Sequence, residues 1–255
     1  MTHRGKRVLV TAGGSGIGKV TATAFAAAGA KVFICDIDKA ALEATLGDNP
    51  KWAGVVADVS DEKSVGALFE ASIKHLGGLD ILVNNAGIAG PTAPVESVSL
   101  DDWRRCLGVN LDGAFLCTRA AIPLLKAQHS GSIINLSSTA GLFGFPNRSP
   151  YASAKWAIRG FTKTLAAELG AFGIRANCIC PGAVEGDRID RVIAKDAEAT
   201  GRSVNEVRVQ YASQASLKTF ISPNDIAAAI LFLTSDAGAK ISGQELAVDG
   251  HTWTL

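Results

Sequence analysis

Short apolar runs alternate along the chain with longer segments that have the spacing of helices. Most of the runs are continuous in Val, Ile, Leu and Cys, which is typical of parallel strands buried on both faces. They predict seven β-strands, at Arg7–Thr11, Lys31–Cys35, Trp52–Ala57, Asp80–Asn84, Ser132–Ser137, Arg175–Cys180 and Glu245–Asp249.

The segments between these strands predict the crossover helices of such a sheet. Helices are expected at about 16–28 and at Asp38–Leu46, Asp61–Leu76, Leu100–Gln128, Pro150–Phe172 and Ser222–Leu233. Ser60 is predicted as the N-cap of the third helix, and Leu100–Gln128 as one continuous helix. The fold class is therefore α/β, a doubly wound, seven-stranded parallel sheet with helices on both faces.

One stretch has no clear pattern. Residues 185–219 follow the sixth strand, and the region past the carboxyl end of a strand is where open α/β sheets bind ligands. A helix beginning near Arg188 is a candidate lid over bound substrate. The remaining sequence has no repeat or linker, so we expect one domain over residues 1–255 with a substrate-loop insertion at about 185–219.

Composition narrows the function classes. The chain is 47% hydrophobic and 19% charged with a net charge of +1, which excludes disorder and gives no field to attract nucleic acid or an anionic membrane. Five cysteines without CxxC spacing and four scattered histidines indicate reduced thiols and no metal site. Without a signal peptide or an apolar run of about 18 residues, a cytoplasmic location with no membrane partner is expected.

A glycine-rich turn between the first strand and the first helix is a candidate phosphate site. It contains Gly14, Ser15, Gly16, Ile17 and Gly18. Glycines let the backbone approach a pyrophosphate, and the helix N-terminus offers free N–H groups and a positive dipole. A tight turn alone would also need glycine, but the strand–loop–helix context favours a nucleotide.

Asp36, eighteen residues past Gly18, lies at the end of the second strand. A carboxylate there accepts hydrogen bonds from the adenosine ribose hydroxyls and repels a 2′-phosphate. The next residue is Ile37, not an arginine. The sequence therefore predicts NAD rather than NADP as the cofactor, with a surface aspartate as the alternative.

Several motifs follow the glycine turn in a fixed order, and together they resemble the short-chain dehydrogenase/reductase family over nearly the whole chain. The motifs are Asp58-Val59, Asn84-Asn85-Ala86-Gly87, Asn110, Ser138, Tyr151 with Lys155, and Pro181-Gly182. The resemblance implies a Rossmann-type fold and NAD(H)-dependent hydride transfer. It implies cofactor contacts for Asp58, Val59, Asn85, Tyr151, Lys155, Pro181, Gly182 and Val184, and catalytic roles for Ser138, Tyr151, Lys155 and Asn110.

Three positions depart from the family pattern. Ala12 replaces the first glycine of the turn, and because alanine favours negative φ we expect the loop to be slightly displaced. Gly186 stands where relatives often have a threonine that holds the carboxamide. His251 replaces a second glycine near the end of the chain, at a point where subunits meet in relatives.

The Tyr151–Lys155 spacing has a chemical reason. Side chains four apart on a helix share a face, and an ammonium beside a phenol favours the phenolate. Tyr151 is then the group that takes a proton from an alcohol or returns it to a carbonyl, while Ser138 donates a hydrogen bond to the same oxygen. The family implies that Lys155 also holds the nicotinamide ribose and that Asn110 fixes a water in a proton relay.

The substrate side is less defined. Apolar candidates follow several strands, at Ala89–Thr92, Leu142, Phe143, Phe145, Val184–Ile193 and Tyr211. They favour a small secondary alcohol or ketone, although Arg148, Arg188 and Arg191 are candidates for an anionic substrate. Alternatives are a 3-oxoacyl-carrier-protein reductase, against which Asp36 argues, and a non-catalytic NAD(H)-binding module. Relatives commonly form homotetramers through the helices Leu100–Gln128 and Pro150–Phe172.

Overall fold

The computed structural model describes residues 2–254. Its strands are β1 (Arg7–Thr11), β2 (Lys31–Asp36), β3 (Ala53–Val56), β4 (Ile81–Asn84), β5 (Gly131–Leu136), β6 (Ile174–Pro181) and β7 (Glu245–Val248). Its helices are α1 (Gly16–Ala27), α2 (Lys39–Asp48), α3 (Glu62–Leu76), α4 (Leu100–Leu107), α5 (Gly113–Ala127), α6 (Ser149–Leu169), α7 (Asp187–Thr200), α8 (Val204–Ser213) and α9 (Pro223–Thr234).

The seven strands form one sheet in the order β3-β2-β1-β4-β5-β6-β7, with every neighbouring pair parallel. The strand order reverses between β1 and β4, which is the switch point where doubly wound sheets bind ligands. The predicted fold class is confirmed.

The sheet is covered on both faces because neighbouring residues of one strand point in opposite directions. Leu9 packs with Leu68 of α3 and Leu125 of α5 on one face. Val10, the next residue, packs with Phe25 of α1 on the other. This double burial explains why the strands are continuously apolar.

Two local predictions were wrong. The N-cap of α3 is Asp61, whose carboxylate accepts from the Ser64 N–H at 2.6 Å, and not Ser60, whose hydroxyl donates to Asp58. The predicted single helix Leu100–Gln128 is divided by a π-helical turn at Gly108–Asp112. Helix α3 begins one residue later than predicted because the Asp61 carboxylate, rather than the Ser60 hydroxyl, caps its first turn. The π-turn inserts one extra residue into the second of these predicted helices, near Asn110.

The unpatterned segment contains α7 and α8, which pack on each other through Ile193, Ala197, Val207 and Tyr211. We call these two helices the lid helices, after the lid that the sequence predicts for this segment; that role stays a prediction. Their shared core is small, and it is separate from the two clusters that cover the faces of the sheet. Within residues 2–254, no helix is long and apolar enough to cross a membrane.

Candidate active site and cofactor cradle

The turn between β1 and α1 leaves room for a phosphate. Ser15, the N-cap of α1, makes no side-chain hydrogen bond to the first turn, so the N–H groups there are open to a ligand. Gly16 has a φ of 51°, and a Cβ built on it would meet nothing within 4 Å. The residues present therefore fit a dinucleotide pyrophosphate at this helix N-terminus.

Close backbone contacts beneath the turn explain two of its glycines. A Cβ on Gly18 would overlap the Ala12 carbonyl oxygen, and a Cβ on Gly14 would lie 2.9 Å from the Asp36 carboxylate. Neither position accepts a side chain without movement of the loop. The glycines are thus required by packing as well as by any ligand.

Ala12 adopts a φ of 49°, contrary to the negative φ expected for it. The alanine thus adopts the left-handed φ that favours glycine, and it carries the associated strain. The reason lies in the neighbouring contacts. Asn85 Nδ2 donates to the carbonyl oxygens of Thr11 at 2.9 Å and Ala12 at 3.1 Å, which fixes this part of the backbone.

Asp36 ends β2 with its carboxylate turned toward the glycine turn. Oδ2 accepts from the Gly14 N–H at 2.9 Å and Oδ1 accepts from the Asp38 N–H at 3.0 Å. The side chain is buried, and the residue that follows, Ile37, is exposed. The carboxylate is thereby held beside the turn where the sequence placed a ribose.

Asp58 and Val59, the predicted adenine-side pair, lie after β3. The Asp58 carboxylate accepts from the Ser60 N–H at 2.9 Å. The backbone N–H of Asp58 donates to the Ser64 hydroxyl at 3.0 Å. Val59 is buried against Gly113 at the start of α5.

Asn85 and Thr11 join the ends of β4 and β1. The Thr11 hydroxyl accepts from the N–H groups of Asn85 at 3.0 Å and Ala86 at 2.9 Å. The Asn85 amide is bonded to the glycine turn and so supports it. We call the glycine turn, Asp36 and Asn85 together the cofactor cradle. The Thr11 hydroxyl thus holds the end of β4 against β1. Nothing in the sequence indicated this role for Thr11.

Ser138, Tyr151 and Lys155 lie close together. Ser138 follows β5, and its hydroxyl accepts from the Ala140 N–H at 3.1 Å. Tyr151 and Lys155 lie in successive turns of α6, and the Lys155 Nζ is 5.6 Å from the centre of the Tyr151 ring. The ammonium is 3% exposed and donates to the Leu136 carbonyl at 2.8 Å. A nearly dry positive charge thus lies beside the phenol.

The electrostatics of this group favour proton transfer. Burial by itself raises the pKa of Tyr151, but the charges of Arg188 and Lys155 and the Ser138 hydroxyl outweigh it, so the pKa lies below its usual value. Burial lowers the pKa of Lys155, against the opposing effect of Tyr151. Both shifts move the pair toward the range in which enzymes use acids and bases.

Asn110 lies in the π-turn and faces Lys155. Its Nδ2 donates to the carbonyls of Ile88 and Cys106, each at 2.9 Å, while its buried Oδ1 has no partner. A Cβ on Gly87 would lie 2.6 Å from that oxygen and 3.4 Å from the Lys155 Nζ. The unpartnered acceptor beside the ammonium fits a polar relay, and the π-turn aims it there.

Pro181, Gly182 and Val184 continue from β6. The Gly182 N–H donates to Val248 at 3.1 Å, and a Cβ on Gly182 would lie 2.9 Å from the Asp249 Cα. Val184 pairs with Ile221 in an isolated bridge. These contacts fix the turn that leads through Gly186 into α7.

Some candidates on the substrate side are held by contacts with the lid helices, whereas Arg188 lies near Tyr151. Tyr211 and Ile193 belong to the core of the lid helices, and the Tyr211 hydroxyl donates to Asp196 at 2.5 Å. Arg148 is 3% exposed and paired with Asp196 at 3.4 Å, so its charge is already matched. Arg188, in contrast, has its guanidinium 5.8 Å from the centre of the Tyr151 ring. The structure therefore distinguishes Arg188 from Arg148.

A buried chain of polar side chains under the site was not predicted. Asn84 Nδ2 donates to Asn135 Oδ1 at 2.8 Å, and Asn135 Nδ2 donates to the Thr162 hydroxyl at 2.9 Å. The Ser137 hydroxyl donates to the Lys155 carbonyl at 2.8 Å. An asparagine inside each of two otherwise apolar strands is the signal that would have found this chain, because a buried amide needs partners.

Known proteins share this architecture. A family model described as Enoyl-(Acyl carrier protein) reductase matches residues 11–251. The curated 3-oxoacyl-[acyl-carrier-protein] reductase FabG of Thermotoga maritima is 34% identical over 254 residues, covering 98% of each chain.

Two solved structures are also similar. NAD+-bound xylitol dehydrogenase has a TM-score of 0.94 at 30% identity, covering 98% of this chain and 100% of its own. A variant of actinorhodin polyketide ketoreductase with NADPH has a TM-score of 0.93 at 29% identity, covering 98% of both chains.

The cradle at the switch point and the Ser/Tyr/Lys group beside it define a dinucleotide-binding oxidoreductase. The chain belongs to the short-chain dehydrogenase/reductase family, as its motifs indicated, and the family binds a nicotinamide cofactor.

Proposed function

We propose that this chain is an NAD(H)-dependent oxidoreductase that interconverts a secondary alcohol and a ketone on a small molecule. The observation that carries the proposal is the position of Tyr151, whose ring centre lies 5.6 Å from the buried Lys155 ammonium. One domain supplies both the cradle and the proton-transfer group, and residues 185–219 supply the cover over the substrate. A cytoplasmic location is part of the proposal.

In this mechanism the nicotinamide, when bound, supplies or accepts the hydride. Tyr151 Oη takes the hydroxyl proton during alcohol oxidation and returns it to the carbonyl oxygen during reduction. Ser138 donates a hydrogen bond to that oxygen, and Lys155 holds the ribose and keeps the phenol acidic. Asn110 Oδ1 accepts from a water that carries the proton on from Lys155.

The cofactor preference rests on Asp36. Its carboxylate is fixed by the N–H groups of Gly14 and Asp38, so a 2′-phosphate would meet a fixed negative charge. The lysines of this region are already engaged, since Lys19 pairs with Asp48 at 3.2 Å and Lys39 with Glu43 at 3.7 Å. These contacts support NAD, held by the glycine turn, Asp58, Val59, Asn85 and the segment from Pro181 to Val184.

The test is an absorbance screen of NAD(H) and NADP(H) in parallel against secondary alcohols, sugars, hydroxy acids, hydroxysteroids and their ketones. Tyr151→Phe is the paired variant. It should bind NADH with unchanged affinity and lose turnover by on the order of a thousandfold or more, because only the proton-transfer group is removed. Wild-type turnover by that variant would remove the mechanism.

A second candidate is a 3-oxoacyl-carrier-protein reductase. The similarity to the Thermotoga maritima FabG favours it. Preference for NADPH and turnover of a 3-oxoacyl carrier protein but not of free ketones would select this candidate. Binding of NADH without turnover of any alcohol or ketone would instead select the non-catalytic module, although the complete Ser/Tyr/Lys group argues against it.

We also propose a homotetramer assembled through α5 and α6. Phe115 and Trp156 lie on these helices and are 44% and 48% exposed in the single chain, and a partner subunit packed on α5 and α6 would bury both rings. Sedimentation should give four times the chain mass, and Trp156→Glu should lower it. A monomer at micromolar concentration would contradict this part of the proposal.

A further inference from the structure

Arg188 carries a charge that the proposed mechanism does not use. It lies in the first turn of α7, and its Nη1 donates to the Gly87 carbonyl at 3.2 Å. The guanidinium carbon is 5.8 Å from the centre of the Tyr151 ring, close to the 5.6 Å of the Lys155 Nζ. Two cations from different helices therefore flank one phenol.

The charge of Arg188 is not neutralised by an acid of this chain. Across residues 2–254, the ion pairs within 4.0 Å engage Arg148 with Asp196 and Arg208 with Asp190, but none involves Arg188. A cation matched by a nearby carboxylate has little field left at a distance, whereas an unmatched cation acts on its neighbours. Arg188 therefore acts on the groups around it, and it lowers the pKa of Tyr151 and, as a like charge, that of Lys155.

We propose that Arg188 is a positioning residue for the proposed reaction, acting as the second cation beside the Tyr151 phenol, and that α7 holds this charge at the site. The role of Arg188 in the reaction rests on the proposed function, because it requires Tyr151 to transfer the proton. The electrostatic part concerns the protein without any ligand.

Charged and polar groups from every neighbouring element act on the phenol. Lys155 acts from α6, Ser138 from the segment after β5, and Arg148 from the residue before α6, where Asp196 offsets its charge. Arg188 acts from α7, and among the neighbouring charges its effect on the pKa of Tyr151 is the largest. Geometry and electrostatics agree on the same side chain.

The number of tyrosines permits a direct measurement. The chain has two, Tyr151 and Tyr211. Burial and the bonded Asp196 carboxylate raise the pKa of Tyr211 beyond the normal range, so the two rings ionise far apart. Protein labelled with ¹³C at the tyrosine ζ carbon should give two resonances, which Tyr211→Phe assigns.

The experiment is a pH titration of that resonance in protein without cofactor, for wild type, Arg188→Gln and Arg188→Lys. We expect Arg188→Gln to raise the Tyr151 midpoint by about one pH unit, because one of two flanking charges is lost. Arg188→Lys should retain most of the wild-type value. Lys195→Gln, which removes an exposed charge from the same helix, is the matched control and should leave the midpoint unchanged.

Each outcome decides the proposal. An unmoved midpoint in Arg188→Gln overturns it, as does an equal shift in Lys195→Gln. If Arg188→Gln raises the KM of a substrate with a carboxylate but leaves the midpoint unchanged, the arginine binds substrate instead. If the midpoint moves as expected while wild type turns over no alcohol or ketone, the electrostatic inference stands and the proposed function fails.

Discussion

The Asp36 carboxylate accepts a hydrogen bond from the Gly14 N–H at 2.9 Å, so the residue expected to select the cofactor is bonded to the loop expected to hold its phosphates. The two sites are one structural unit. A substitution at Asp36 therefore affects both the charge at the ribose and the order of the glycine turn.

Asp36→Ala should lower kcat/KM for NADH by about ten- to a hundredfold, the range for losing hydrogen bonds to a charged group. kcat/KM for NADPH should fall less or rise, because the negative charge that opposes the 2′-phosphate is gone. Initial rates with each cofactor measure this. Asp101→Asn, which removes an exposed carboxylate from the first turn of α4, is the control and should leave the cofactor ratio unchanged. A wild type that prefers NADPH would contradict the assignment.

Ala12→Gly should stabilise the protein by about 1 kcal/mol, because alanine at a φ of 49° is strained and glycine is not. Urea unfolding measures the change. Gly18→Ala is the opposed variant, since its Cβ would overlap the Ala12 carbonyl oxygen, and it should destabilise the loop. Loss of stability in Ala12→Gly would mean that the methyl group makes a favourable contact that outweighs the strain.

These two cases show what the sequence could and could not predict. Strand and helix types followed from the continuous apolar runs and the helical spacing, because burial on both faces leaves a simple pattern. The φ of Ala12 did not follow, because it is imposed by Asn85, which is distant along the chain. The preference of alanine for negative φ was outweighed by two hydrogen bonds from Asn85, the residue after β4.

The candidate site divides in the same way. The glycine turn was predicted from its residue types and its place between a strand and a helix, whereas Ser138, Tyr151 and Lys155 were predicted from the resemblance to the family. The π-turn at Asn110 was not predicted, because a turn of five residues is too short to show a change of helical period in the sequence. The proximity of Arg188 to Tyr151 depends on the path of residues 181–187, which carries no periodic pattern.

Asp196→Asn should destabilise the protein by about 2 kcal/mol and loosen the lid helices. It leaves the buried Arg148 without a counter-charge and weakens the acceptor of the Tyr211 hydroxyl. Urea unfolding and the rate of trypsin cleavage within α7 measure the two effects. The matched control is Asp190→Asn, on the same helix, whose partner Arg208 is 44% exposed, so that its loss should cost about 1 kcal/mol or less. Equal losses in the two variants would contradict a role for burial.

The pH dependence of alcohol oxidation should follow Tyr151. Oxidation needs the phenolate, so kcat/KM at saturating cofactor should rise about tenfold per pH unit and level off above the midpoint. Because the pKa of Tyr151 is lowered, that midpoint should lie below tyrosine's ordinary value of about 10. Reduction needs the protonated phenol and should fall above its own midpoint.

Ser138→Ala tests whether the Ser138 hydroxyl lowers the pKa of Tyr151. The Ser138 hydroxyl helps to lower the pKa of Tyr151, so its removal should move the oxidation midpoint to higher pH as well as reduce the plateau rate by on the order of a hundredfold. Thr164→Ala, which removes a hydroxyl bonded within α6 on the exposed side, is the control for the substitution itself. A lower plateau with an unmoved midpoint would show that Ser138 acts on the substrate oxygen alone, and the effect of its hydroxyl on the pKa of Tyr151 would then be ruled out.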